Sequence, residues 1–414
     1  MRTVDAAGLE IGDDRPPRIM GVLNVSEESP YDPSVFDDPG EAAEYVDAEL
    51  IAEGADIVDV GLESANKRFE VLSADQELDR LDTAIEAMES TAGDAVWSIE
   101  TRYHEVAAAA LDRGFDMVND VCGFADPEMP AVCADREAAV VKMASPPDLE
   151  RPGAIADVDD IYDALARNGF TDRTILDPAF GGWTEEKTLA DDRETFRRLR
   201  EFRGYGRPIL VSINRKNFLR DVVDRETEGA LPASLAATSM AVERGAHVIR
   251  THDVAETRDA AAIGAEFARD RIRETVPGAE LEELDVTAPR EAARHLDRVG
   301  ANADIADESV IRVVEASGLD RDRLRALAAA VEGTGVAFAT DGTAGTAEST
   351  RSETPATDGS GDATGSGAGD ATARGLLVGT PAALERASER LVDGEFAAAA
   401  EIGSVLARIA DPDR

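Results

Sequence analysis

Eight times between Arg18 and Asp270 a short apolar run gives way to an amphipathic helical stretch, and this alternation constrains the fold more than any other feature of the chain. The apolar runs begin at Ile19, Ile57, Val96, Met117, Ala139, Thr174, Ile209 and Val248. Helical spacing follows over 41–53, 74–90, 102–113, 128–135, 158–168, 191–202, 232–244 and 255–270. Strands joined by crossover helices run parallel, because each helix carries the chain back to the end where the next strand must start. Eight such units are enough to close on themselves. The expected fold is α/β, a parallel (β/α)8 TIM-type barrel over residues 1–272, with an open doubly wound sheet as the alternative.

Beyond 273 the texture changes to Ala/Glu/Arg-rich helical patterns. Residues 340–373 are almost wholly Gly, Ser, Thr, Ala, Asp, Glu and Pro, a composition that buries too little apolar surface to order itself, so a disordered insertion is expected there. The apolar run Leu376-Leu377-Val378 and the amphipathic pattern after it resume a fold. Residues 273–339 and 374–414 are therefore expected to form one small C-terminal unit, α/β or mostly helical, around the insertion.

Charge narrows the partners. With 85 acidic against 43 basic residues the formal net charge is -42, and four of the basic residues are lysines. Such a surface repels nucleic acid and anionic membrane, so neither is an expected partner. The acids are spread along the chain rather than gathered in a tail. Concentrated salt screens that self-repulsion, and the composition suits a halophilic source. No run of 18 apolar residues and no charged-then-apolar leader is present, so no span or export signal is expected. The two cysteines, Cys122 and Cys133, give neither a disulfide framework nor metal-ligand spacing, which suits packed thiols in a reducing cytoplasm.

In a parallel barrel, chemistry sits at the C-terminal ends of the strands. Polar groups stand at nearly every such end: Asn24 after the first strand, Asp59, Glu63 and Ser64 after the second, Glu100 and Thr101 after the third, Asn119 and Asp120 after the fourth. Asp177-Pro178 follows the sixth, Asn214-Arg215-Lys216 the seventh and Arg250-Thr251-His252-Asp253 the eighth. One polar residue after a strand is usually a helix N-cap, and Asp59 or Asp120 alone reads as a cap or brace. The joint pattern says more. Asn119, Asp177 and Lys216 offer an amide, a carboxylate and a cation from three strands, a set that can read the edge of a flat heterocycle such as an aminopyrimidinone. Arg215, Arg250 and His252 come from strands seven and eight, where barrels often hold phosphate.

Seven ordered segments carrying these residues resemble the dihydropteroate synthases. They are Ile19-Met20-Gly21-Val22-Leu23-Asn24-Val25, Ile57-Val58-Asp59-Val60-Gly61-Leu62-Glu63-Ser64, Ser98-Ile99-Glu100-Thr101, Val118-Asn119-Asp120-Val121, Leu176-Asp177-Pro178, Arg215-Lys216 and Ile249-Arg250-Thr251-His252-Asp253-Val254. The resemblance implies a condensation in which a pyrophosphorylated hydroxymethyl dihydropterin loses pyrophosphate to an arylamine, normally 4-aminobenzoate. It implies that Glu100, Asn119, Asp177 and Lys216 hold the pterin and that Arg250 and His252 hold the pyrophosphate, with Arg215 kept as a substrate-binding candidate from its place after the seventh strand. Lys216, Asp177 and Arg250 are then the catalytic set, Asn24 helps ligate Mg2+, and the barrels pair as a homodimer.

The departures from that family cluster in two loops and around the second substrate. The first loop reads Ser26-Glu27-Glu28-Ser29-Pro30-Tyr31-Asp32 in place of a Thr-Pro-Asp-Ser-Phe-Ser-Asp type sequence, and the second reads Ala65-Asn66-Lys67-Arg68 where Thr-Arg-Pro-Gly is usual. Glu100 replaces the usual Asp, Asn214 the usual Ser, Lys142-Met143-Ala144 a Met-His segment, and Ala179-Phe180-Gly181-Gly182-Trp183 the usual glycine-rich run after Asp177-Pro178. Lys67 and Arg68 are either an exposed pair, a substitute for the missing Arg, or a seat for a phosphorylated arylamine. A pterin-dependent methyltransferase and a non-catalytic pterin-binding paralogue are the competing readings. The anion cluster favours the synthase over the first, and the altered loops are the support for the second.

Overall fold

The computed structural model describes residues 1–25, 34–63, 71–149, 152–181, 187–340, 373–393 and 396–411. The loop segments Ser26 to Asp32 and Ala65 to Arg68, together with Gly182 and Trp183, lie outside these residues. The chain divides into two compact units, Met1–Asp285 and Val286–Arg414.

The first unit opens with an antiparallel hairpin, β1 (Val4–Ala6) and β2 (Leu9–Ile11). Eight parallel strands follow: β3 (Arg18–Asn24), β4 (Ile57–Gly61), β5 (Val96–Thr101), β6 (Met117–Asp120), β7 (Ala139–Met143), β8 (Thr174–Asp177), β9 (Leu210–Val211) and β10 (Val248–Thr251). Their order in the sheet is β8-β7-β6-β5-β4-β3-β10-β9. A parallel bridge from Leu176 to Ile209 joins the two ends. The sheet is thus a closed (β/α)8 barrel rather than an open doubly wound sheet.

The wall is formed by α1 (Pro39–Tyr45), α2 (Ala74–Ser90), α3 (His104–Asp112), α4 (Met129–Asp135), α5 (Val158–Ala166), α6 (Leu189–Arg197), α7 (Asn217–Val223), α8 (Leu231–Glu243) and α9 (Val254–Glu266). Helix α7 has no counterpart in the sequence reading. It begins immediately after Lys216, which is its N-cap residue, and at seven residues it is too short to show a helical period.

A period of two along each strand decides what the barrel contains. Met20, Ile57, Val96, Met117, Ala139, Val141, Ile175, Leu210 and Val248 make one apolar cluster with Val4, Ala6 and Ile11 of the hairpin. The alternate residues, among them Ile19, Val58, Trp97, Val118, Val140, Leu176, Val211 and Ile249, pack in the other cluster with apolar residues of the helices. Two residues further along from the inward apolar layer come Asp59, Ser98, Asn119, Asp177 and Arg250. The same parity that fills the lower barrel with methyl groups therefore lines its mouth with polar ones.

The expected boundary at 272/273 is corrected by the structure: the first unit runs to Asp285. The strands β11 (Arg273–Val276) and β12 (Ala279–Glu282) form a hairpin tied to the start of the chain, with Glu282 on the amino group of Met1 and Arg273 on Asp14 at 2.7 Å. Asp285 pairs with Arg200. Asp13 is the centre of this lock. It accepts from both terminal nitrogens of Arg203 at 3.1 Å, from Arg271 at 3.0 Å and from His247 Nε2 at 2.9 Å. Burial alone would raise its pKa, but the His247 hydrogen bond and the charges of Arg203 and His247 hold it well below the usual carboxylate range. Asp13→Ala leaves Arg203, 4% exposed, as an unpaired buried cation. The expected cost is about 3–5 kcal/mol, or a thermal midpoint lower by roughly 10 °C in a melt followed by circular dichroism.

The second unit is α/β. It holds α10 (Pro289–Arg298), β13 (Arg312–Leu319), α11 (Arg321–Val331), β14 (Ala337–Thr340), β15 (Ala373–Gly379), α12 (Pro381–Val392) and α13 (Ala400–Ala410). The strands form an antiparallel sheet in the order β13-β15-β14, with Leu377 of the central strand packed among Leu324, Leu327, Leu384, Leu391 and Leu406. Thr340 and Ala373, expected inside the insertion, instead end β14 and open β15, because their backbones complete the ladder to Gly375 and Leu319. The rest of the expected insertion, 341–372, lies outside the described residues.

Candidate active site

Arg250 crosses the barrel mouth. From β10 its Nε donates to Asp59 Oδ2 on β4 at 2.7 Å, and its Nη2 donates to Glu100 Oε2 on β5 at 2.6 Å. Asp59 is fully buried and also accepts from Ser98 Oγ at 2.7 Å and Asn119 Nδ2 at 3.0 Å. It is the hub of the site, where the sequence alone reads it as a cap or brace. Asn119 spends its amide N–H on that hub, which leaves its Oδ1 as the acceptor toward a ligand.

Asp177 and Lys216 complete the polar layer. Burial pushes the Asp177 carboxyl up to about 6, against the Ala179 backbone N–H and the Lys216 charge, which lower it. Burial and the Arg250 charge lower the Lys216 ammonium, while Asp177, Asp192 and Glu100 favour it. Glu100 is raised, first by burial and then by Asp59 and Glu63, with Arg250 opposing. Three carboxylates therefore share two cations, an arrangement that holds charge in a dry site only while the partners stay together.

His252 and Asn24 meet across Ser34. Asn24 Nδ2 donates to Ser34 Oγ at 2.8 Å, and that hydroxyl lies 3.5 Å from His252 Nδ1. Burial and the field of Arg250 push the His252 imidazole down to about 3, so it is neutral near pH 7. A neutral ring can offer an N–H as a donor. Arg215 is held by its own partners. Its guanidinium is held bidentately by Asp253 at 2.8 Å and 2.8 Å, and it donates to the carbonyls of Thr227 and Glu228. Arg215 thus braces the connection between β9 and β10, with its charge already neutralised.

Beside this layer a second buried network joins the loops. Arg102, 2% exposed, binds Glu63 at the end of β4, the Leu72 carbonyl before α2 at 2.7 Å and the Leu149 carbonyl at 2.8 Å. Glu77 accepts from Thr101 Oγ1 at 2.5 Å. Burial raises Glu77 to about 7 from an ordinary 4.5, in spite of Thr101 and Arg102. A carboxyl whose folded pKa is raised adds stability below its unfolded pKa and loses it as pH climbs through the folded value. Glu77→Gln, which imitates the protonated group, is expected to match the parent near pH 4 and to exceed it by up to about 3 kcal/mol at pH 8 in denaturant titrations.

Sequence reasoning missed Ser34, Ser98, Arg102, Lys187 and Asp192. Ser98 had a signal, since it sits two residues before Glu100 on the inward face. Asp120, by contrast, is the turn brace its isolated reading suggests, accepting from the Cys122 and Phe124 amides at 2.8 Å and 2.7 Å. Among the described residues, His104, Glu105 and Asp126 bring histidine and carboxylate ligand atoms within 4.8 Å. Asp126 there caps α3 through the His104 amide at 3.0 Å, and Asn24 is not part of that group.

The model of the pterin binding enzymes matches residues 20–252. A probable bifunctional folylpolyglutamate synthase/dihydropteroate synthase of Haloferax volcanii is 37% identical over 262 residues, 60% of this chain and 30% of that protein. A similar protein of Halobacterium salinarum is 35% identical over 251 residues, again 30% of its length, so the chain spans under a third of these haloarchaeal relatives. The dihydropteroate synthase of Bacillus subtilis is 30% identical over 57% of this chain and 83% of its own. Among solved structures, a Coxiella burnetii dihydropteroate synthase in complex with pteroic acid is 29% identical with a TM-score of 0.54, covering 64% of this chain and 98% of that one. A Xanthomonas albilineans dihydropteroate synthase with 4-aminobenzoic acid is 30% identical with a TM-score of 0.53, covering 63% and 96%. With the family match running through the whole barrel, from the apolar layer at Met20 to His252 at the mouth, this chain belongs to the pterin-binding enzymes, the family of the dihydropteroate synthases.

Proposed function

We propose that the barrel condenses a pyrophosphorylated 6-hydroxymethyl-7,8-dihydropterin with 4-aminobenzoate or a related arylamine and releases pyrophosphate. The observation that carries this reading is the gathering of Asn119 on β6, Asp177 on β8 and Lys216 at the start of α7 beside Arg250 at the barrel mouth. In it, the Asp177 carboxylate accepts from the pterin's ring N–H and amino group, Lys216 donates to its carbonyl, and the Asn119 Oδ1 accepts a further N–H. Arg250 and the His252 N–H take the pyrophosphate oxygens, where negative charge grows as the carbon–oxygen bond breaks. The arylamine nitrogen forms the new bond to that carbon and then sheds its proton.

Asn24 suits Mg2+ in one respect that the structure supplies: its Nδ2 is turned to Ser34, leaving a hard amide oxygen as donor, with the pyrophosphate providing the negative charge. When bound, Mg2+ would offset charge on the departing pyrophosphate.

Among the described residues no helix is long and apolar enough to cross a membrane, and we place the reaction in a salt-rich cytoplasm. The test is pyrophosphate release in multimolar salt with Mg2+, with and without 4-aminobenzoate, and with sedimentation in the same buffer to read the expected pairing of barrels. Release that requires the arylamine supports the synthase. Pterin binding without release, with either 4-aminobenzoate or a phosphorylated arylamine, sinks the chemistry and leaves a pterin-binding protein.

A further inference from the structure

Two buried side chains outside the pterin pocket hold the turn on which Lys216 rests. Lys187 and Asp192 form an ion pair at 3.1 Å with side chains 0% and 3% exposed. Lys187 Nζ also donates to the Ala179 carbonyl at 2.7 Å, and the Gly181 amide donates to both Asp192 oxygens at 3.2 Å. Ala179 and Gly181 have φ of 60° and 110°, left-handed values that a non-glycine residue keeps only under outside support. A Cβ added to Gly181 would stand 3.1 Å from Lys216 Nζ and 3.3 Å from its Cδ. The Ala179 amide, meanwhile, donates to Asp177 Oδ1 at 2.7 Å. One short turn therefore touches both the carboxylate and the cation assigned to the pterin.

The residue type supports a specific task. This chain has four lysines and uses arginine almost everywhere else for positive charge. A guanidinium is broad and brings five donors that need partners. Between one carbonyl and one carboxylate at zero exposure, the compact ammonium is the group that fits.

We propose that Lys187 and Asp192 are positioning residues for the condensation, fixing the turn at 179–181 so that Asp177 and Lys216 meet the pterin edge. This rests on the pterin reading above.

The test uses the full chain in multimolar salt. The double variant Lys187→Met/Asp192→Asn leaves no unpaired buried charge and keeps an acceptor for the Gly181 amide. It is expected to raise KM for the dihydropterin pyrophosphate by about 10-fold to 100-fold, more than it lowers kcat. Gly181→Ala, which pushes on Lys216 from the same turn, should raise KM as well. A folded double variant with the parent KM overturns the proposal. If that variant does not fold, a parent-like KM in Gly181→Ala overturns it instead. Calorimetry on the parent separates the two claims: no dihydropterin binding overturns the pterin reading itself, whereas parent binding with unaffected variants overturns only the role of the pair.

Discussion

Lys216→Ala is expected to lower kcat/KM for arylamine-dependent pyrophosphate release by about 10²-fold to 10³-fold, the scale seen when one preorganised charge or donor is removed from a dry site. The loss has two parts. On the proposed pterin reading the carbonyl of the substrate loses its donor, and Asp177 loses the side-chain charge that most opposes its burial. With the parent carboxyl at about 6, the acid limb of kcat/KM is expected near that pH, since the proposed role of Asp177 requires the ionised acceptor. Removing Lys216 raises the Asp177 pKa further, so the residual activity should show its acid limb at higher pH. Uniformly reduced activity with an unmoved limb would mean that Lys216 and Asp177 do not act together. A pH–rate series on the two proteins decides it.

Arg250→Ala is expected to damage fold and function together. Asp59 is fully buried and Glu100 is 16% exposed, and both lose the guanidinium they share. Breaking a buried pair from one side costs about 3–5 kcal/mol, because the surviving charge keeps its desolvation penalty and loses its partner. For a unit of this size that is a fall of roughly 10 °C in thermal midpoint. Asp59→Asn in the same background removes the stranded charge and should restore part of the midpoint but none of the pyrophosphate release. If the double variant melts no higher than Arg250→Ala, the Asp59 contact is not what the arginine stabilises. Both melts belong in the same multimolar salt, since screening changes the reference for every exposed pair.

The three described lysines, Lys142, Lys187 and Lys216, are all engaged inside the fold rather than spread over its surface. Lys142, fully buried, donates to the carbonyls of Arg167 and Gly169 past the end of α5, and burial pushes its ammonium down to about 7.

The sequence by itself determined the eight strand–helix units, because the period of an apolar pattern is a local property of backbone geometry and needs no knowledge of the partner strand. It also determined which residues share a face, since parity carries from Ile57 to Asp59, from Met117 to Asn119 and from Val248 to Arg250; which of the two apolar faces turns inward was decided only by closure. Which charges pair was decided only by closure. Arg250 and Asp59 are 191 residues apart and meet because β10 and β4 both flank β3 in the sheet. The same closure holds Arg215 on Asp253, lowers His252 until it is neutral, and lets the pair Lys187 and Asp192 reach the turn under Lys216. The boundary at Asp285 also belongs to tertiary structure, because the ion pairs that tie the β11–β12 hairpin to residues 1–14 leave no periodic trace along the chain. Periodicity reports where each side chain points, and only three-dimensional proximity, with the desolvation that comes with it, decides what that side chain can do.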